Sequence, residues 1–370
     1  MTDQPTPHSL LHSYGYTDRI AALFRDQFSN PRLRPARVVR TDRGRVLLAT
    51  DSSLLHLTTA GLPQPPATGD WVAFEPGRPA SAGGPAIAGL LPRFSVLSRK
   101  QAYDPLSTEQ ILATNMDLIG VVVPFDRPLS ANRLERTLVA VWDSGAAPLV
   151  ILTKADLCGQ HDEVAAQIVE QAAGAEVLAT SAETGDGIDA LAGHLGSGRS
   201  MALLGPSGAG KSSLINALVG RDVQDAGAVR AGDGKGRHTT TARELIPLPN
   251  GAVLMDTPGI RGFALWDAED GLGTVFGDIE ELAADCRFND CSHETEPGCA
   301  VRQALADGSL ERRRWESYRK MGRELANLHL RQNVAEQRRT GRQFAKLAKA
   351  AAQAKDYRGR REPRAGGPRR

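Results

Sequence analysis

Gly205-Pro206-Ser207-Gly208-Ala209-Gly210-Lys211-Ser212 fits G-x-x-x-x-G-K-[ST], and Ser213 continues it. Glycines at that spacing let successive backbone N–H groups face phosphate oxygens, and a helix N-terminus behind them adds positive potential. Lys211 is then the catalytic side chain that reaches the β- and γ-phosphates, and Ser212 the one that ligates Mg²⁺. The apolar run Met201–Leu204 reads as a strand before this loop, and Ser212–Val219 as a helix after it. A chance match among 38 glycines is the bland alternative.

Such a loop says nucleoside triphosphate, not which one. Thr153-Lys154-Ala155-Asp156 closes the run Leu149–Leu152. A carboxylate at Asp156 accepts from both the ring N–H and the exocyclic amino group of guanine, a pair adenine lacks. The Lys154 stem can cover the base. Thr180-Ser181-Ala182 follows another apolar run, and Ser181 or Ala182 can offer a backbone N–H to the guanine oxygen. Each motif alone is an ordinary capped helix start; together they favour guanine. Asp256-Thr257-Pro258-Gly259 follows Ala252–Met255, where Asp256 can hold Mg²⁺ through water and the Gly259 N–H can sense the γ-phosphate. A simple strand-to-turn exit is the other reading. Between these motifs, Gly232–Thr241 is glycine-rich, and Thr240 is placed to complete the Mg²⁺ shell as a nucleotide-gated switch.

Three thiolates and one imidazole fall within 14 residues at Cys286, Cys291, His293 and Cys299. That donor set suits tetrahedral Zn²⁺ in a closed, structural shell. A disulfide, or four unconnected residues, is the competing reading. Cys158 reads as a packed or exposed thiol.

Elements must bring these loops together. Apolar runs at Met116–Val123, Pro148–Leu152, Glu176–Ala179, Met201–Leu204 and Ala252–Met255 read as buried parallel strands. Ser130–Ser144, Asp162–Ala173 and Ser212–Val219 read as helices between them, giving a doubly wound α/β domain over 101–265. The base motifs precede the phosphate loop, so this domain is circularly permuted. Binding loops at strand ends need only converge in space, and the switches now lead directly into the cysteine segment at 266–330. Upstream, five short β-type runs (Val38–Arg40, Arg45–Ala49, Leu54–Thr58, Asp70–Phe74, Ala86–Leu91) point to a small β-barrel over 35–100, or else a β-rich cap. Residues 1–34 are polar and read as flexible. Ser309 to about Ala354 reads as a long charged helix with a disordered end.

Charge is unevenly placed. Residues 331–370 hold 13 basic and 3 acidic side chains, whereas the whole chain is only +2. That excludes a uniformly basic coat and leaves a cationic tail, for salt-dependent phosphate attraction or simply as a solvated helix. Aromatics at 5% argue against an aromatic stacking platform and suggest backbone and shape recognition rather than base stacking. No apolar run reaches the roughly 20 residues of a membrane span, and nothing at the N-terminus resembles a signal peptide, so the expected setting is cytoplasmic.

Over about residues 36–320 the chain resembles the RsgA (YjeQ) family, the circularly permuted GTPases that depend on the small ribosomal subunit. The resemblance rests on Gly69-Asp70-Trp71-Val72, Pro92-Arg93, Ala113-Thr114-Asn115-Met116-Asp117, GPSGAGKSSL, GRHTTT, DTPGIRGF and the cysteine segment. It implies an N-terminal OB-fold, a central permuted P-loop GTPase domain and a C-terminal helical zinc-binding domain with the same four ligands. It implies a monomeric GTPase whose slow turnover is stimulated by the small (30S) subunit, with rRNA as partner and subunit maturation as task. Two positions stand out. Thr153 replaces the family's Asn, so a weaker tie to the phosphate loop and weaker nucleotide binding are expected. Ile260 stands where a water-orienting Gln sits in Ras-like enzymes; the family shares this, and His238 resembles its proposed catalytic histidine, with a phosphate-contacting or solvated role as the alternative. Two other functions stay open: an RNA-binding checkpoint protein with incidental hydrolysis, and a P-loop ATPase or kinase, against which Asp156 argues.

Overall fold

The computed structural model describes residues 9–77, 84–100, 109–222, 243–257, 265 and 268–331. His238, Thr240, Gly259 and the basic tail beyond 331 lie outside the described residues.

Five strands, β1 (Arg34–Asp42), β2 (Arg45–Ala49), β3 (Leu54–Thr58), β4 (Trp71–Glu75) and β5 (Ala86–Leu90), form the expected barrel. β1 pairs antiparallel with β2 and β4, β2 with β3, and β4 with β5. Alternate residues such as Ala36, Val38, Val46, Leu48, Val72 and Phe74 fill its interior. The observed strands start or end within a few residues of those read from sequence, with β1 extended at both ends.

Residues 9–34 do not behave as a flexible segment. α1 (Leu10–Ser13) and α2 (Asp18–Gln27) are helical, and Leu11, Tyr14, Tyr16, Ile20 and Phe24 join the central core. Polar average composition hid an amphipathic helix whose apolar residues recur at helical spacing. Arg37 of β1 pins this segment: it donates to Tyr14 O at 2.5 Å and Asn115 O at 3.1 Å, and lies over Trp71.

The residues that carried the resemblance upstream of the phosphate loop are the joint between barrel and α/β domain. Asp70 is 1% exposed and takes both the bidentate Arg93 fork at 2.7 Å and the Ala67 N–H at 2.7 Å. Gly69 has φ +100°, and any Cβ there would meet Thr114 O at 2.1 Å, so only glycine fits. Asn115 donates to Gly69 O at 3.2 Å and accepts from Phe94 N–H at 3.1 Å, while Asp117 accepts from Ser200 N–H at 2.8 Å. A hairpin of β6 (Val96–Lys100) and β7 (Glu109–Thr114) spans the boundary expected at residue 100.

The α/β sheet contains β8 (Leu118–Pro124), β9 (Ala147–Thr153), β10 (Glu176–Ala179), β11 (Ser200–Leu204), β12 (Glu244–Pro247) and β13 (Val253–Asp256). Their spatial order is β10-β9-β8-β11-β13-β12, parallel except for β12. Both faces are covered. α3 (Ala131–Asp143) and α4 (His161–Gln171) contribute to one core; α5 (Ile188–Leu195) and α6 (Lys211–Val219) contribute to the other. Consecutive residues alternate between them, as with Leu149 and Ile151 against Val150 and Leu152. β12, α5 and the β6–β7 hairpin were not anticipated. β12 also joins the barrel edge, where Arg40 meets Glu244 at 3.0 Å.

α7 (Glu269–Val275), α8 (Gly277–Ala284), α9 (Ala300–Asp307) and a last helix over 312–331, α10, form the C-terminal unit. It is welded to α3. Glu135, fully buried, accepts from Arg313 at 3.0 Å, Arg314 at 3.3 Å and Ser317 at 2.8 Å. Arg136 grips Glu324 in a fork at 2.9 and 2.7 Å. Removing one member of a buried pair costs about 3–5 kcal/mol, and Arg313 and Arg314 can partly rehydrate, so Glu135→Ala is expected near the lower end, about 3 kcal/mol. Urea unfolding checks this; an unchanged midpoint would show the network to be idle.

Candidate functional site

Parallel strands deliver their loops at one sheet edge, and the motif-bearing loops of this chain emerge there from β9, β10, β11 and β13. The phosphate loop leaves β11 and ends where α6 begins at Lys211. Gly210, at φ +87°, caps α6 in the left-handed conformation that glycine accepts without strain. The Lys211 ammonium lies against the loop, donating to Gly205 O at 2.9 Å and Pro206 O at 3.0 Å. Burial lowers the Lys211 pKa below the usual lysine value, and the nearby Asp256 carboxylate works against that. A cation so placed gains from an arriving polyanion, since the loop carbonyls repay its lost hydration only in part.

Asp256 closes β13, is 3% exposed, and pairs in register with Leu203 next to the phosphate loop. Thr257 donates its hydroxyl to Leu203 O. The last β13 residue is thus held beside the start of α6, where Ser212 sits.

The base-reading loops meet each other and the phosphate loop. Ser181 Oγ donates to Asp156 Oδ1 at 2.6 Å, and Ala155 N–H donates to Thr180 O at 3.1 Å. The Ser181 N–H donates to Asp186 O at 2.9 Å, while its hydroxyl orients the Asp156 carboxylate. Ala182 is left to offer an N–H. Lys154 takes φ +63° and its ammonium reaches Asp126 at 2.5 Å, a contact that holds the Asp126 carboxyl below the usual carboxylate range. Asp126 was not singled out in the sequence; an acid just past a buried strand gave no usable signal.

Thr153 does tie the two loops. Its buried hydroxyl donates to Ala209 O at 2.6 Å, so the base loop is fastened to the phosphate loop by the threonine itself. A hydroxyl has one proton to give, and it is spent here.

Thr153, Lys154, Asp156 and Ala182 line a cleft of about 720 Å³ together with Gly210 and Ser213. Motifs from three loops, inverted in sequence, therefore open onto one cavity. Its volume lies within the roughly 300–1,000 Å³ of small-molecule sites.

Away from the cleft, the ligand atoms of Cys286, Cys291, His293 and Cys299 all lie within 4.8 Å of one another, a spacing that fits a single metal ion. Cys286 and Cys299 are buried, and His293 sits edge-on to Trp315 of α10 at 5.6 Å. Three soft thiol donors and one imidazole exclude a hard cation. No described helix is long and apolar enough to cross a membrane.

Comparison with known proteins agrees with this geometry. Residues 90–266 match the family model described as RsgA GTPase. The chain is 46% identical over 366 residues to the Small ribosomal subunit biogenesis GTPase RsgA of Streptomyces coelicolor, covering 96% of this chain and 98% of that protein. Among solved structures it is similar to YjeQ from Thermotoga maritima, with 26% identity and a TM-score of 0.58 over 80% of this chain and 99% of the other. YloQ, described as a circularly permuted GTPase, shares the fold at a TM-score of 0.55 and 23% identity, over 80% and 96% of the two chains. A permuted P-loop domain between a barrel and a three-cysteine, one-histidine cluster, matched nearly end to end at that identity, places this chain in the RsgA GTPase family.

Proposed function

We propose that this protein hydrolyses GTP and uses the cycle to assist maturation of the small ribosomal subunit in the cytoplasm, with rRNA as its contact. The observation that carries the reading is the single cleft joining Asp156 and Ala182 to Gly210 and Ser213. The near full-length relative named for small-subunit biogenesis supports the task.

In this reading the Asp156 carboxylate, oriented by Ser181, reads guanine, with the Ala182 N–H on the guanine oxygen and the Lys154 stem over the base. Gly205 to Ser213 cradle the phosphates, and Lys211 exchanges the Gly205 and Pro206 carbonyls for β- and γ-phosphate oxygens. Ser212, Asp256 and Thr240 would hold Mg²⁺, which would supply charge neutralisation to the phosphates. Gly259 senses the γ-phosphate and His238 assists hydrolysis. Cys286, Cys291, His293 and Cys299 would hold one Zn²⁺ as a structural cross-link.

Two experiments bear on this. GTP turnover, compared with ATP and measured with and without small subunits, is expected to be slow alone and clearly faster with them. Turnover indifferent to subunits would favour a nucleotide-gated checkpoint role. Thr153→Val keeps the volume but leaves Ala209 O without its donor, worth about 1–3 kcal/mol. It is expected to raise the Kd for GTP at least fivefold with guanine preference kept; an unchanged Kd would show that the tie does not order the site.

A further inference from the structure

We propose that the cavity on the far side of the phosphate loop is a second ligand site, which takes a small amphipathic anion: a carboxylate, sulfonate or phosphate carried on an apolar body. The cavity measures about 520 Å³ and shares no lining residue with the cleft beside Asp156, meeting the nucleotide machinery only at Gly205 and Pro206. Its walls are apolar, with Val121, Val123 and Pro124 from β8, Leu129, Leu134 of α3 and Leu204 of β11. Its charged lining is cationic: Arg127, Arg133, Arg136 and Lys320 line it beside the neutral Ser130, Asn132 and Thr137, and no carboxylate does among the described residues.

Two of those cations are already matched: Arg127 by Asp126 at 3.1 Å and Arg136 by the Glu324 fork. Arg133 and Lys320 are exposed and make no ion pair among the described residues. Apolar walls with two unmatched positive charges define the ligand by complementarity: an apolar body seated against β8 and α3, its anionic end between Arg133 and Lys320. A purely apolar ligand would forgo the charges, and a small bare anion would forgo the walls.

The position gives the site a consequence. Gly205 and Pro206 also line this cavity, and their carbonyls accept from the Lys211 ammonium. A ligand pressed against these two residues is sensitive to where Lys211 sits, so occupancy here and nucleotide affinity are coupled, reciprocally. Lys320 belongs to α10, which brings the C-terminal unit into the same lining.

The test uses the full chain and two fluorescent probes of similar body: the anionic 8-anilinonaphthalene-1-sulfonate and the neutral N-phenyl-1-naphthylamine. The sulfonate is expected to bind saturably at one site per chain. Arg133→Glu combined with Lys320→Glu alters exposed side chains and should raise the sulfonate Kd at least tenfold while changing the neutral probe less than threefold. Thr137→Trp fills the cavity from α3 and should weaken both probes at least tenfold. Urea midpoints matching wild type show that the charge-reversed chain is folded, and that variant decides the matter even if Thr137→Trp folds poorly. Sulfonate binding unaffected by the charge reversal, or binding without a defined stoichiometry, overturns the proposal.

Discussion

Asp156→Asn is expected to weaken GTP binding by at least 100-fold and to bring xanthosine triphosphate into the affinity range that GTP occupies in the wild type. The carboxylate accepts two N–H donors from guanine, each charged hydrogen bond being worth about 1.5–3 kcal/mol, so losing the match costs roughly two to four decades. Ser181 occupies only one of the lone pairs on Asp156, so both acceptor positions toward guanine remain. An asparagine offers one acceptor and one donor. That pattern fits xanthine, whose C2 carries an oxygen where guanine has an amino group. Competition against a fluorescent nucleotide, with ATP as control, measures the switch. Equal loss of GTP and xanthosine triphosphate would mean that the residue supports the loop and does not read the base.

Removing the metal is expected to have the other large effect, confined to one part of the molecule. A structural zinc site in a small module contributes on the order of 10 kcal/mol of folding free energy. The module it would stabilise is short: α8, the ligand loop and α9, with Ile279, Val301 and Ala304 buried and Trp315 of α10 against His293. Cys286→Ser, or chelation, is expected to open residues 286–311 to proteolysis and to alter Trp315 fluorescence. GTP should still bind, because Asp156, Thr153 and the phosphate loop are positioned by the sheet and by each other. One equivalent of zinc per chain in the wild type, lost in the variant, completes the expectation. A variant with native protease resistance would show that the four side chains cluster without a metal that stabilises the fold.

The legible parts of the chain were those whose chemistry is local. The phosphate loop could be read because glycine spacing, lysine and serine act within eight residues, and the cysteine–histidine set because all four donors lie in one loop and helix start. The parallel strands were legible because both faces are buried, which makes Leu118–Pro124 and most of Ala147–Thr153 continuously apolar. What escaped depends on partners far away in sequence. Arg37 reads as a surface cation until Tyr14, Trp71 and Asn115 close around it. Glu135 looks like an ordinary helix acid, although it sits among Leu134, Leu138 and Val139 on the covered side of α3, a position that in hindsight demanded a cationic partner. The partner of Thr153, Ala209 O, lies 56 residues away, and no spacing in the sequence reveals it. The average polarity of residues 1–34 hides α2, although Ile20, Ala21 and Phe24 fall on one face of it.

The most direct check is the structure of the protein with a non-hydrolysable GTP analogue. One nucleotide should span the cleft: guanine N1 and N2 on the Asp156 carboxylate, and the Lys211 ammonium moved from Gly205 O and Pro206 O to the β- and γ-phosphates. A base bound away from Asp156, or phosphates that leave Lys211 on those carbonyls, would contradict the account.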